Sequence, residues 1–496
     1  MLYKSTRNDE LRVSAAQAIA QGISTEGGLF VPETVPFIGN MLEELAKLDY
    51  MGRAKKILGL YLSDYSEEEI ADCVEAAYAK EKFENTEPIQ LAKLSDKEYV
   101  LELWHGPTCA FKDMALQILP HLLTKALKKK YDGKEAVILV ATSGDTGKAA
   151  LEGFKNVDGT RIIVFYPHGG VSPMQLRQMN TQEGDNVCVC AVEGNFDDCQ
   201  TQVKRIFTSE ETKNKLAENN MIFSSANSIN WGRLLPQIVY YISAYLDLVN
   251  SGEIEKIGDS INVVVPTGNF GNILAAYYAK EMGLPINKFI CASNANNVLT
   301  DFINSGTYDK DREFFTTTSP SMDILVSSNL ERLLYHLSGE NAEALRNWMT
   351  ALSETGSYTV DAATADKVRA LFYGGCCDDA QTAAEIAKVY AEEKYLSDTH
   401  TAVALKVYDD YVAATGDMTK TVIASTASPY KFGKSVLTAI GEICPDDEFE
   451  TADKLSLVTD TSVPEPITAL KTKAKRFENL TNKDTIVNFV LNTLGI

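Results

Sequence analysis

The sequence has no run approaching the roughly 18 consecutive apolar residues that a membrane-spanning helix requires. Its opening, Met1-Leu-Tyr-Lys-Ser-Thr-Arg-Asn-Asp-Glu10, bears charges where a secretory signal would place its apolar stretch. A cytoplasmic location with no membrane partner is therefore expected. Basic residues are scarce as well: 47 Lys and Arg stand against 68 Asp and Glu, a formal net charge of -21. Such a surface repels nucleic acid and anionic membranes, so any anionic ligand must be held by local groups. The 9 cysteines form no CxxC pair and the 5 histidines no HxxxH. No metal site is expected, and the cysteines read as reduced, small buried side chains. Neither a Walker pattern nor GxGxxG occurs, which disfavours nucleotide binding. Internal repeats and low-complexity tracts are absent too.

What is present is a 496-residue chain with 45% hydrophobic content, enough to bury two to four domains of roughly 100 to 200 residues. About the first 90 residues read as mainly helical, with apolar side chains at helical spacing from Leu42 to Leu48 and from Ile70 to Ala79. From Tyr99 the pattern changes to short apolar runs, each followed by a glycine or polar turn and a helix-like segment. The runs are Tyr99–Trp104, Ala136–Ala141, Ile162–Phe165, Val187–Val192, Ile261–Val265 and Val422–Ser425. This alternation predicts an α/β fold with parallel sheets. The expected division is a helical region over 1–90, a small α/β domain over 91–215 and a large one over 216–496. The stretch Gly306–Thr318 reads as a connecting or mobile segment.

Four strand-to-turn junctions hold the residues that can do chemistry. After Tyr99–Trp104 comes His105-Gly-Pro-Thr-Cys-Ala-Phe-Lys-Asp-Met114, which puts Lys112 near the opening of a helix that Pro120 should kink. A lysine desolvated between Phe111 and an apolar helix face has a lowered pKa, and its free amine can attack an aldehyde. The alternative is an ordinary solvated surface lysine. Next, Ala136–Ala141 runs into Thr142-Ser-Gly-Asp-Thr-Gly147, where backbone N–H groups and hydroxyls at a helix start can hold a carboxylate. The same residues serve equally well as plain helix caps. The third junction, Val263-Val-Val-Pro-Thr-Gly-Asn-Phe-Gly-Asn272, can cradle a phosphate on its amides, because glycines allow close approach of the backbone. In the fourth, Val422-Ile-Ala-Ser-Thr-Ala-Ser-Pro-Tyr-Lys-Phe432, a strand delivers Thr426 to a tight turn, where its hydroxyl can meet an unprotonated ring nitrogen. A plain Ser-Pro turn reads the same way.

In this order the four junctions resemble the pyridoxal-phosphate (PLP) enzymes of the tryptophan-synthase-β fold group, and more narrowly the threonine synthase family. The narrower resemblance includes Tyr3-Lys-Ser-Thr-Arg7, Gly27-Gly-Leu-Phe-Val-Pro-Glu33, Gly194-Asn-Phe-Asp-Asp-Cys-Gln200, Asn227-Ser-Ile-Asn-Trp-Gly-Arg233 and Asp398-Thr-His-Thr-Ala-Val403. It spans nearly the whole chain. What it implies is a tryptophan-synthase-β-like fold with two domains that contain parallel sheets and a helical N-terminal region. It also implies conversion of O-phospho-L-homoserine and water into L-threonine and phosphate, by γ-elimination and β-addition of water.

Carried over position by position, the resemblance makes Lys112 the Schiff-base lysine and catalytic base. Gly268, Asn269, Phe270, Gly271 and Asn272 would hold the PLP phosphate, Thr426 the pyridine nitrogen, and Asp145 would lie near the ring. Ser143 and Thr146 would receive the substrate carboxylate. Asn227, Ser228 and Arg233 would take the substrate phosphate, an Arg fork with hydroxyl and amide donors being suited to a dianion. For Arg233 the alternative is a surface salt bridge. Two positions depart from the family: Cys109 stands where a larger aliphatic residue is common, and Ser428 where histidine is common. The expected partner is a small-molecule substrate, and the chain is read as a monomer or homodimer. Two other activities fit the same motifs: a PLP-dependent threonine or serine dehydratase, and a non-catalytic PLP-fold regulatory protein.

Overall fold

Apolar runs bounded by glycine and polar turns form the strands of two large sheets in a computed structural model of the chain. It describes residues 1–142 and 144–496, except the side chains of Phe196 and Asp197. In chain order the strands are β1 (Leu2–Ser5), β2 (Asn8–Ser14), β3 (Phe30–Pro32), β4 (Gln90–Lys93), β5 (Glu98–Glu102), β6 (Glu135–Ala141), β7 (Thr160–Pro167) and β8 (Val187–Val192). There follow β9 (Met221–Ser224), β10 (Ile261–Pro266), β11 (Ile286–Ser293), β12 (Thr307–Asp309), β13 (Ser357–Thr359), β14 (Phe372–Cys376), β15 (Thr421–Ser425) and β16 (Asn479–Thr481).

The larger sheet has the order β14-β11-β10-β15-β5-β4 and is parallel except for β4, which runs antiparallel to β5 at its edge. The smaller, β16-β8-β7-β6-β9, is parallel throughout. Helices on both faces bury the central strands, which is why Ile261–Pro266 reads as a continuous apolar run and is buried at every position.

Sheet membership crosses the limit set at residue 215. Strands β4 and β5, which lead to Lys112, belong to the six-stranded sheet, whereas β9 and the late β16 belong to the five-stranded one. The N-terminal region is not purely helical: β1, β2 and β3 form an antiparallel sheet beside its helices Tyr50–Tyr61 and Glu67–Tyr78. Its aromatic residues anchor it to the buried helix Trp231–Asn250. The rings of Tyr3 and Tyr61 stand 5.5 and 5.6 Å from that of Trp231.

Two local expectations are corrected. Pro120 does not kink a helix: it sits in the first turn of Leu119–Lys130, where its missing N–H costs nothing. Before it, Asp113–Leu116 makes a separate single turn. The stretch Gly306–Thr318 is fastened rather than loose. Thr307–Asp309 pairs with β13, the Asn296 side chain bonds both Phe315 N and O, and Thr317 N donates to Asp323 at 2.9 Å.

Candidate active site

Lys112 is delivered by β5 and held by β15. Leu103 N donates to Ser425 O (3.1 Å), Phe111 N to Thr426 O (2.9 Å) and Ser428 N to Cys109 O (3.1 Å). The loop bearing the lysine and the turn bearing Thr426 are thus stitched together through their backbones. Cys109 adopts a left-handed φ of 56° within this turn, and the buried Asp113 carboxylate accepts from both Thr108 N and Oγ1 at 2.8 Å. Lys112 is 9% exposed, with Nζ 5.3 Å from the centre of the Phe111 ring. Burial brings its ammonium down to about 8; Asp145 opposes this, and Lys431 and Arg233 push further the same way.

Asp145 stands in the first turn of the helix Asp145–Phe154. Its Oδ2 lies 3.5 Å from Lys112 Nζ, while its Oδ1 takes Lys431 Nζ at 2.6 Å and Gln175 Nε2 at 3.0 Å. Burial alone would raise this carboxyl, but Lys431 and Lys112 outweigh burial and hold it far below the usual carboxylate range. Thr142 Oγ1 closes the turn by accepting from Gly144 N (3.0 Å) and Gly147 N (2.9 Å). Gly144 has φ 148°, and a Cβ there would meet the Gln175 side chain at 2.3 Å. Thr146 follows, half-buried, on the same turn; Ser143 lies outside the described residues.

The third junction ends in Phe270, at a left-handed φ of 62°, and opens the helix Gly271–Glu281. Asn329 fastens this turn, donating to Asn269 O from its backbone N and from Nδ2, each at 3.1 Å. The same Nδ2 donates to Ser228 O at 3.2 Å, which joins the 268–272 turn to the 227–230 loop. Behind it, the fully buried Arg332 reaches Phe30 O (2.9 Å) and Ile229 O (2.6 Å). Arg233 is only 5% exposed, and Nη1 donates to Ala226 O at 2.9 Å. Among the described residues no carboxylate is within ion-pairing distance of it, so the surface salt bridge does not exist. Burial brings its guanidinium down to about 10. Asn227 is exposed and Ser228 half-buried.

These residues fit a phosphorylated aldehyde. Asn272 Oδ1 accepts from Tyr240 OH at 2.8 Å and from Tyr241 OH, which leaves its buried Nδ2 without a partner at a helix N-terminus. An orphaned donor beside free helix amides suits an anion. A buried amine poised near neutral pH suits the carbonyl.

Several groups in the site escape a reading of the sequence. Ser321 Oγ lies 3.2 Å from Lys112 Nζ, and a Cβ on Gly268 would come within 2.9 Å of its carbonyl oxygen, so Gly268 and Lys112 meet through it. Ser321 leaves no local signal, being 209 positions away from Lys112. Lys431 was legible in part, as a cation between Tyr430 and Phe432 in the Thr426 turn. Gln175 and Asn329 carry no motif.

Comparison with known proteins gives a consistent picture. Residues 2–78 match the family described as threonine synthase N terminus, 80–375 that of pyridoxal-phosphate dependent enzyme, and 401–490 that of threonine synthase, C-terminal. The chain is 41% identical to human threonine synthase-like 1 over 87% of its own length, and spans 59% of that relative's length. It is 35% identical to threonine synthase of Saccharomyces cerevisiae, covering 88% of this chain and 89% of the relative. Among solved structures, PLP-bound threonine synthase from Brucella melitensis superposes with a TM-score of 0.88 at 35% identity, over 99% of each chain.

Proposed function

The chain belongs to the threonine synthase family of pyridoxal-phosphate-dependent enzymes, and from that we propose that it converts O-phospho-L-homoserine and water into L-threonine and phosphate. The observation that supports this most is the buried Lys112 amine, set between Asp145 and Ser321 and stitched to the Thr426 turn. PLP, when bound, supplies the electron sink for charge developed next to the substrate amine. The amides of 268–272 and Asn272 Nδ2 would hold its phosphate, Thr426 would hold its ring nitrogen, and Asp145 would lie near the ring.

Arg233, a buried cation with no carboxylate in ion-pairing distance among the described residues, would bind the substrate phosphate together with the 227–228 loop; Thr146 and Ser143 would orient the carboxylate. Lys112, its ammonium already lowered toward neutrality, takes the α proton as general base; a β proton leaves next, phosphate is expelled from the γ carbon, a proton is returned there and water adds at the β carbon. Among the described residues Arg233 has no competing ion pair, which favours a phosphorylated substrate over the unphosphorylated serine or threonine of a dehydratase. A cytoplasmic location and a monomeric or homodimeric state are part of the same proposal.

The test is phosphate release from O-phosphohomoserine by the purified chain with and without PLP, alongside borohydride trapping and mapping of the pyridoxyl label. Label at Lys112 and PLP-dependent release are expected, with KM raised roughly 10- to 100-fold in Arg233→Ala through loss of a charge-assisted contact. Turnover of unphosphorylated serine or threonine to keto acids in place of phosphate release, or label at another position, would overturn the proposal.

A further inference from the structure

The hydroxyl that meets Lys112 comes from a segment fixed from both sides. Ser321 lies in the turn Pro320–Met322. Just beyond it, Asp323 Oδ1 accepts from Asn294 Nδ2 (2.8 Å), Asn296 Nδ2 (3.0 Å) and Thr317 Oγ1 (2.7 Å). On the other side Ser321 N donates to His400 Nε2 at 3.1 Å. For Nε2 to accept, the ring proton must sit on Nδ1, and there Asp398 Oδ2 receives it at 2.7 Å. Asp398 is itself held by the backbone N of His400 (2.9 Å) and of Thr401 (3.1 Å). His400 is 2% exposed and Asp398 fully buried, so tautomer and orientation are both locked.

The sense of the next bonds follows from charge. Ser321 Oγ is 3.2 Å from Lys112 Nζ and 3.5 Å from Asp145 Oδ2. An ionised carboxylate only accepts, so the hydroxyl proton points to Asp145 and the oxygen lone pair faces a Lys112 N–H. We propose that Ser321 is a catalytic residue, its oxygen fixing one N–H of Lys112 so that the amine's lone pair is aimed at the substrate carbon, and that His400 is its positioning residue. This rests on Lys112 being the cofactor lysine and base of the preceding section. The groups facing Nζ are Ser321, Asp145 and the Phe111 ring, with Lys431 and Arg233 acting at longer range. Removing the Ser321 oxygen takes away an acceptor that favours the ammonium form, so Lys112 should lose its proton at lower pH.

The test uses the full chain loaded with PLP, reading two quantities against pH: kcat for phosphate release from O-phosphohomoserine, and the visible absorption band of the bound cofactor. Ser321→Ala is expected to lower kcat about tenfold with KM within about twofold. It should also move the acid limb of kcat, and the titration of the band, to lower pH by roughly half to one pH unit. Ser321→Thr, which keeps the hydroxyl, should return both titrations toward their wild-type positions. His400→Phe should shift both readouts in the same direction, and the double variant should fall no further than the larger single effect. A merely structural role would lower kcat without moving either titration, and unchanged titrations in Ser321→Ala overturn the proposal for Ser321. Effects that multiply in the double variant overturn the role of His400. If wild type shows neither band nor phosphate release, the Lys112 reading itself fails and takes this inference with it; a normal wild type with an unaltered Ser321→Ala removes this inference alone.

Discussion

Lys431 Nζ lies 2.6 Å from one oxygen of Asp145, and Lys112 Nζ lies 3.5 Å from the other. Two ammonium groups share one buried carboxylate, and the nearer keeps it ionised while the farther is left only partly compensated. That asymmetry lets desolvation dominate at Lys112. A second, half-buried ionic cluster surrounds His105, at the start of the loop that bears Lys112. His105 Nε2 is 2.8 Å from Glu102 and Nδ1 is 3.6 Å from Glu84. Burial disfavours the imidazolium, but the two carboxylates prevail and push it from 6.5 up to about 9. A raised folded-state pKa means that the contribution to stability is complete below about 6.5 and disappears as pH rises through about 9. Urea unfolding should therefore show up to about 3 kcal/mol lost across that window. His105→Gln should flatten this slope; an unchanged slope would mean that other groups cause it.

At the scale of elements, the site depends on one close approach. A Cβ on Gly153 would stand 1.9 Å from the Leu116 carbonyl oxygen, where the helix Asp145–Phe154 crosses the turn Asp113–Leu116. Asp145 and Lys112 sit at the starts of these same two elements, so any methyl that separates them also separates the pair. Gly153→Ala should cost roughly 1–3 kcal/mol in chemical denaturation and weaken PLP retention. Gly59 is the contrasting case: it is exposed on the helix Tyr50–Tyr61, its nearest contact would be Ile70 Cδ1 at 3.9 Å, and Gly59→Ala should stabilise by about 0.5–1 kcal/mol without touching the cofactor.

For the whole molecule the decisive quantity is the net charge of -21. On the proposed function, a phosphorylated substrate would be repelled at a distance and attracted only at the site, by Arg233 and helix amides. Raising ionic strength from about 0.01 to about 0.15 M shortens the screening length from about 30 to about 8 Å. The far repulsion should fade before the enclosed contacts do, so kcat/KM for O-phosphohomoserine should rise severalfold over that range. A steady fall would mean that the attractive field extends beyond the cleft.

Local sequence features were enough to place the parallel strands, the four junctions at their ends and the cofactor class. Apolar runs, glycine turns and helix starts are local features, read over ten or so residues. Val187–Val192 forms a strand at the limits its sequence sets, and the neighbouring strands differ by a residue or two. What tertiary structure decided was which groups meet. The pairing of β5 with β15 in the six-stranded sheet put the loops that bear Lys112 and Thr426 side by side at its end, and long-range packing brought Ser321, Lys431, Gln175 and Asn329 to the site. It also turned Arg233 from a possible surface charge into a buried one. The physical reason is that conformational preference is local to the chain, whereas desolvation and ion pairing depend on neighbours that only the folded topology supplies.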